Sequence, residues 1–461
     1  MSLQLGLLAT FVLVQIGVGL WVGRRLRGTT DFFVARRRLP APLVFATFLA
    51  ANIGAGSTIG ASSLGYSLGL GGWWWNASAG LGSLVFAVWA GPRLWRLASD
   101  HNFLTLGDYL EWRYNGAVRA TVSLIIWFIS LAILAGQLLG ATSILQVVAG
   151  VPRWAGAVTA AIVVVIYFVA GGLLTSAWVN LVQLVVKLTG FLIALPLALS
   201  AAGGWAALSA PGTPPAFLDP LGHAGSALWF LPLLAPAFLV SPGLVQKAYG
   251  AVDARAVRLG VGLNAIALVL FAIVPVALGM VARVRHPGLA SPDQALPTLL
   301  ALDLPPAVGA LTLAGIFAAE MSAADAVLFM LSTSFSQDLY RRFLRPAASD
   351  AQVLTVARVS AVVGGVAGLG MALMLPTVVD ALKIFYSLLT VALFVPLVAG
   401  LSWSRATSRA AMASIMVATP LSLGVHMLTA GHGVDGVPPV VLGLLASAAT
   451  FAAAALLEKR P

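Results

Sequence analysis

The chain has 461 residues, of which 60% are hydrophobic and 9% are charged, and its mean hydropathy is +0.98. About a quarter of an ordinary soluble domain is charged, so this composition excludes a soluble enzyme, a nucleic-acid binder and a disordered chain. The absence of cysteine excludes disulfides, thiolate metal sites and cysteine nucleophiles. Lysine and arginine collect in the cytoplasmic loops of membrane proteins. The net charge of +11 thus indicates such loops rather than a nucleic-acid partner.

Apolar segments long enough to cross a bilayer run through the whole chain, since one helical span needs about 20 apolar residues. We predict an all-α polytopic membrane protein with about thirteen transmembrane helices, near 3–23, 44–71, 77–98, 118–147, 153–172, 177–200, 227–246, 259–282, 307–335, 354–375, 382–402, 410–430 and 438–456. No stretch between them is long enough for a separate domain. The first segment has no basic flank before it, so we expect no cleavable signal peptide.

The basic residues predict how these spans are oriented. With the N-terminus outside and the C-terminus in the cytoplasm, nearly all loop lysines and arginines, Lys247 among them, fall on the cytoplasmic side. The external side holds Arg153, Arg283, Arg285 and Lys383. We therefore expect a multi-pass protein of the cell (inner) membrane that touches lipid and implies no obligate protein partner.

Three ionisable residues, Lys187, Glu320 and Asp325, fall at membrane depth, well away from the ends of the predicted spans. A charge at the centre of a span costs about 2.5–3.5 kcal/mol on insertion scales, so each is a candidate functional residue. Two structural readings stay open. The residues could form a buried ion pair that only joins two helices, or Glu320 could face a water-filled vestibule without a specific role.

Two segments have the composition of interrupted helices. Segment 44–71 contains Asn52, Gly54, Gly56, Ser57 and Thr58, a combination that favours local unwinding. Segment 227–246 contains Pro232, Pro236 and the Ser-Pro-Gly sequence at 241–243, and proline breaks helical hydrogen bonding. Unwound backbone persists in a membrane only where it lines a cavity or is buried in protein.

Interrupted helices at corresponding places in two halves are typical of secondary transporters with inverted repeats. The predicted organisation is a leading helix and basic loop (1–43), a first repeat of five spans (44–200), an external loop (201–226), a second repeat of five spans (227–402) and two trailing helices (403–461). The ten spans of the two repeats are called core helices 1 to 10 below.

Several stretches resemble the motifs of the sodium/solute symporter family, in the right order on these spans. Six of these stretches are residues 31–40, 50–53, 105–114, 293–297, 321–325 and 403–407. A further region contains Tyr167, residues 171–173, Trp178 and Gln183. The resemblance implies the leucine-transporter-like fold and alternating access, with solute and cation sites at the midplane. The cation site that it implies takes backbone carbonyls of Ala50, Ile53 and Ala319 and hydroxyls at positions 322 and 323, which are Ser322 and Ala323 here.

Three departures from the family pattern bear on the coupling ion. Ala323 has no hydroxyl to give, which weakens a sodium site that needs several oxygen ligands. Asn180 stands on core helix 5 where members often carry aspartate. Lys187 lies seven residues further along the same helical face and can reach the cation site or Glu320. A lysine buried in apolar surroundings also gives up its proton more readily than one in water.

We therefore expect proton-coupled or sodium-independent transport, slightly ahead of sodium coupling. A purely structural pair of Lys187 with Glu320 or Asp325 is the third possibility. Either Na⁺ or H⁺ is the coupling ion, no cofactor is expected, and Na⁺ is the one metal ion considered.

The solute is expected between core helices 1, 3, 6, 8 and 10. A small carboxylate or an amino acid is favoured, because half-helix N-termini attract anions and the Glu-Gln pair of sugar-transporting relatives is absent. The candidate substrate residues are Asn52, Gly54, Gly56, Ser57, Thr58, Gln137, Phe238, Ser241 and Tyr386. A transporter-like sensor and a channel are the rival functions, and an enzyme is excluded because no nucleophile or metal-ligand spacing appears.

Overall fold

The computed structural model describes residues 5–10, 13–14, 17, 37–170, 173–209 and 216–458, without the side chains of 167, 169–170 and 173–182. Every regular element in these residues is a helix, and β pairing is limited to isolated bridges such as that between Leu39 and Ala251. The predicted all-α fold is confirmed.

Eighteen α-helices carry the architecture described below. They are α1 Ala41–Asn52, α2 Ala61–Leu68, α3 Trp73–Val85, α4 Gly91–His101, α5 Leu106–Arg113, α6 Gly116–Ala149, α7 Arg153–Ala170, α8 Leu173–Ala202, α9 Phe230–Val240, α10 Pro242–Tyr249, α11 Ala254–Phe271, α12 Ile273–Arg285, α13 Ala295–Leu302, α14 Pro306–Thr333, α15 Asp350–Met374, α16 Val378–Ser402, α17 Ser408–Leu428 and α18 Pro439–Leu457.

Nine helical stretches of the described residues are long and apolar enough to cross a membrane, and a bent pair makes a tenth. The stretch that contains α14 is surrounded by protein, because 94% of its most apolar window is buried. The trailing helices α17 and α18 are only 28% buried over their windows, so they lie at the periphery. The full count of thirteen and the five-plus-five division stay predictions.

The first interruption lies between α1 and α2. Helix α1 ends at Asn52, Ile53 leaves the helical region with φ −96° and ψ 76°, and a π-helical turn at Gly56–Gly60 leads into α2. The chain bends by 65° at this break. A Cβ on Gly54 would lie 2.4 Å from the Ala323 Cβ, so the unwound backbone needs a residue without a side chain there. The predicted break in core helix 1 is confirmed.

The second interruption lies between α9 and α10, at Ser241, whose φ is −54° and ψ is 120°. Pro242 is the first residue of α10, where proline loses no intrahelical hydrogen bond. The expectation that Pro232 and Pro236 also break the span is wrong, because α9 continues through both of them to Val240. Pro232 lies in the first turn of α9, where backbone N–H groups have no intrahelical partner anyway.

Glycines allow the backbones of α2 and α12 to touch. On α12, a Cβ at Gly279 would lie 2.0 Å from the Ser62 carbonyl oxygen of α2. On α2, a Cβ at Gly65 would lie 2.2 Å from the Val276 carbonyl oxygen of α12. This contact fixes the position of the half-helix that follows the first break.

We predict that Gly279→Ala lowers the melting temperature of the purified protein, because the added methyl forces α2 and α12 apart at a cost of about 1–3 kcal/mol. The matched control is Gly262→Ala on α11, where a Cβ would meet nothing within 4 Å. The control should be neutral or slightly stabilising, since alanine favours helix over glycine by roughly 1 kcal/mol. Equal melting shifts for the two variants would contradict this assignment.

Candidate cation and solute site

Lys187 of α8 reaches the break in core helix 1. Its side chain is fully buried, and Nζ donates a hydrogen bond to the Ile53 carbonyl oxygen at 3.0 Å. Helix α14 packs closely behind it, because a Cβ on Gly315 would lie 3.4 Å from the Lys187 Cα. The ammonium therefore occupies the C-terminal end of α1, where backbone carbonyls carry partial negative charge.

Glu320 of α14 lies on the other side of the same break. It is fully buried, and its Oε1 accepts a hydrogen bond of 2.7 Å from the Thr58 hydroxyl. Among the described residues, Oε2 has no hydrogen-bond partner. Helix α6 leaves room for the carboxyl group with a glycine, since a Cβ on Gly140 would lie 3.1 Å from Oε2.

Of the ion pairs within 4 Å between described residues, none joins Lys187 to Glu320. Each contacts the broken helix instead, Lys187 through Ile53 and Glu320 through Thr58. Both charged side chains therefore contact the backbone or side chains at the break in core helix 1.

The other residues that the family resemblance assigns to the cation site are all buried. Ala50 lies in α1, and Ala319, Ser322 and Ala323 lie in α14, which contacts α1. The Ala323 methyl faces Gly54. Position 323 therefore offers a methyl group to the break, where the family pattern places a hydroxyl.

A central cavity lies between the two broken helices and α6, α14 and α16. Eight of the nine candidate substrate residues line it, namely Asn52, Gly54, Gly56, Ser57, Gln137, Phe238, Ser241 and Tyr386. The ninth, Thr58, points to Glu320 and not into the cavity. The cavity thus joins residues that are more than 300 positions apart in the chain.

Amide side chains hold the unwound segment in place. Oε1 of Gln137 accepts a hydrogen bond from the Ala55 backbone N–H at 2.8 Å, and Nδ2 of Asn76 donates to the Ser57 carbonyl oxygen at 3.1 Å. An unpaired backbone group in this setting costs about 1–3 kcal/mol. Gln137 therefore supports the break as well as lining the cavity.

Aromatic rings close one side of the cavity. The Tyr386 ring of α16 lies 5.6 Å from Phe238 of α9 and 6.1 Å from Trp75 of α3, between ring centroids. These contacts join α16 to α9 of the second broken helix and to α3.

Lys247 is the charged cavity residue that the sequence analysis missed. It lies in helix α10 and not in a loop, its side chain is 4% exposed, and it lines the cavity. Asp325 of α14, also buried, is the charged group that acts on it. One sequence signal exists, since Lys247 follows Gly243 by four residues and therefore shares its helical face just after the break.

Some expectations fall outside the described part of the molecule. The side chains of Asn180, Tyr167 and Trp178, the glycines at 171–172 and residues 31–36 are among them. Within the described residues, no group of three or more His, Asp or Glu side chains could hold a metal ion.

Comparison with known proteins identifies the family. The model of the sodium:solute symporter family matches residues 32–418. A sodium/glucose cotransporter from Vibrio parahaemolyticus is 26% identical over 459 residues, which cover 90% of this chain and 83% of the relative. A sodium/pantothenate symporter from Escherichia coli (strain K12) is 29% identical over 480 residues, which cover 96% and 94%.

Solved structures agree on the fold. A Na⁺-coupled sialic acid symporter in a substrate-bound outward-open state superposes with a TM-score of 0.80 at 19% identity, over 99% of this chain and 98% of that one. Mhp1, a nucleobase-cation-symport-1 family transporter, gives a TM-score of 0.59 at 15% identity over 92% and 94%. With a matching family model over most of its length, this chain belongs to the sodium:solute symporter family and is a multi-pass membrane transporter with the leucine-transporter-like fold, not an enzyme.

Proposed function

We propose that this protein is a secondary active transporter that imports a small carboxylate or amino acid by alternating access, and that the Lys187 ammonium replaces sodium at the cation site. The observation that carries the proposal is the hydrogen bond from Lys187 Nζ to the Ile53 carbonyl oxygen. This carbonyl is a member of the cation site that the family resemblance implies, so a tethered cation occupies the position of a free one.

The change at position 323 supports the same conclusion. Sodium prefers several oxygen ligands, and the hydroxyl of the family pattern is missing where Ala323 packs against Gly54. A site that contains the Lys187 ammonium and lacks this hydroxyl is better suited to holding the lysine side chain than to binding Na⁺. The two substitutions act in the same direction although they stand on different helices.

Glu320 extends the site toward proton coupling. When Lys187 releases its proton to water, the carbonyls at the end of α1 lose their cation, as they would on release of sodium. The buried Glu320 carboxyl, tied to Thr58 on the far side of the break, is the second group whose protonation acts on the same backbone. A cycle of proton binding and release at this pair would therefore favour different positions of the broken helix.

Sodium coupling is the second candidate, and the family itself supports it. The relatives named above are sodium symporters, and Ser322 together with water offers oxygen ligands if the ammonium withdraws. The names of these relatives cover glucose and pantothenate, so they do not select one solute class for this chain. The cavity between two half-helices favours a solute with a carboxylate.

Binding of ²²Na⁺ to the purified protein separates the two ions without knowledge of the solute. We expect no saturable binding to the wild type, because Lys187 fills the site. The double variant Lys187→Ala with Ala323→Thr should bind ²²Na⁺ saturably, because it removes the ammonium and restores the hydroxyl. Lys383→Ala, the same change at a lysine on α16, is the matched control. Saturable binding to the wild type would establish the sodium alternative.

Uptake into proteoliposomes tests the driving force. With radiolabelled pantothenate, lactate and proline as probes, we expect a pH gradient that is alkaline inside to drive accumulation of at least one of them without sodium. Lys187→Met should abolish this gradient-driven accumulation while exchange of solute at equal pH continues, since the cavity is intact. Uptake driven by a sodium gradient alone at constant pH would refute proton coupling.

A further inference from the structure

Lys247 is a buried cation whose role the coupling site does not explain. It lies on α10 and lines the cavity, whereas Lys187 and Ile53 do not, and its side chain is 4% exposed. A charged lysine in such surroundings is costly unless an opposite charge or hydrogen-bond acceptors accompany it. Among the described residues, Asp325 is the oppositely charged group whose field reaches Lys247.

The backbone beside Lys247 offers further donors to the same cavity. Helix α10 begins at Pro242, and no side chain caps it. The N–H groups of Gly243 and Leu244 therefore lie in the first turn, where a helix provides no internal acceptors, and both residues line the cavity. Lys247 follows Gly243 by four positions on the same helical face, its side chain tilts toward the N-terminus of α10, and both residues line the cavity.

Gly243 lines the cavity without a side chain. A Cβ at this position would meet the Met330 side chain at 3.7 Å, an ordinary contact distance. No close approach of backbones therefore requires glycine here. The missing side chain instead leaves the first turn of α10 uncovered where the cavity reaches it.

We propose that the Lys247 ammonium, with the backbone N–H groups of Gly243 and Leu244, binds the carboxylate of the transported solute. The geometry combines a point charge, two amide donors and the positive end of a helix, all of which favour an anionic group. Asp325 keeps the site electrically balanced when it is empty. The inference rests on the proposed transport function but not on the identity of the coupling ion.

The test compares acids with uncharged counterparts on the purified full-length protein. The probe pairs are pantothenate with pantothenol, lactate with lactamide and acetate with acetamide, with glucose and choline added singly. Binding is measured by thermal shift and confirmed by titration calorimetry. At least one acid should bind the wild type, and its uncharged counterpart should bind on the order of 10- to 100-fold more weakly, as expected for loss of a hydrogen-bonded charge.

Variants then assign the effect to Lys247. Lys247→Met should weaken binding of that acid on the order of 10- to 100-fold, while Lys247→Arg, which keeps the charge, should lose less. Lys383→Met, the same change outside the cavity, should bind as the wild type does. Gly243→Ala, which the packing accommodates, should weaken binding of the acid. Its melting temperature without solute should equal that of the wild type.

Several outcomes would overturn the proposal. One is that an acid and its uncharged counterpart bind equally well. A second is that folded Lys247→Met binds the acid as tightly as the wild type does. A third is that glucose or choline binds while no acid does. The last result would leave transport and its coupling ion untouched, because the ²²Na⁺ experiment needs no solute. Binding of none of the probe acids to the wild type would also count against a carboxylate site.

Discussion

Backbone that leaves the helix inside a membrane has to find partners within the protein, and this requirement shapes the centre of the molecule. The break after Asn52 frees carbonyl and amide groups that lipid cannot satisfy. Lys187 of α8 donates a hydrogen bond to the Ile53 carbonyl oxygen, and Gln137 of α6 accepts one from the Ala55 N–H. The glycines at 54 and 140 follow from the same need, since a Cβ on Gly54 would meet Ala323 and a Cβ on Gly140 would meet Ala55 of the break.

Four charged groups surround this region, and they divide into two sets. Lys187 and Glu320 contact the broken backbone of core helix 1, whereas Lys247 lines the solute cavity and Asp325 acts on it. Each set contains one positive and one negative group, which limits the cost of burying charge in a low dielectric. The two proposed roles, cation coupling and solute binding, thus rest on different pairs of charged groups.

The comparison with relatives identifies the fold in which these charged groups lie. The fold is that of the family, and the two interrupted helices lie within it. At the first break, Lys187 donates to the Ile53 carbonyl oxygen and the Ala323 methyl faces Gly54. The proposal that the ammonium replaces Na⁺ therefore needs only these two side chains to differ from the cation site that the family resemblance implies.

Composition and hydrophobic patterning predicted the membrane location, the all-helical fold and the three ionisable residues at membrane depth, and the glycines and polar residues between Asn52 and Thr58 predicted the first break. Helical periodicity also placed Lys187 within reach of the cation site, because its distance from Asn180 along the helix axis follows from the rise per residue. Tertiary structure alone decided that Thr58 turns to Glu320, that Pro236 lies inside a continuous helix and that Lys247 lines the cavity. A sequence specifies which residues share a face of one helix, but the depth and rotation of that helix depend on packing against its neighbours.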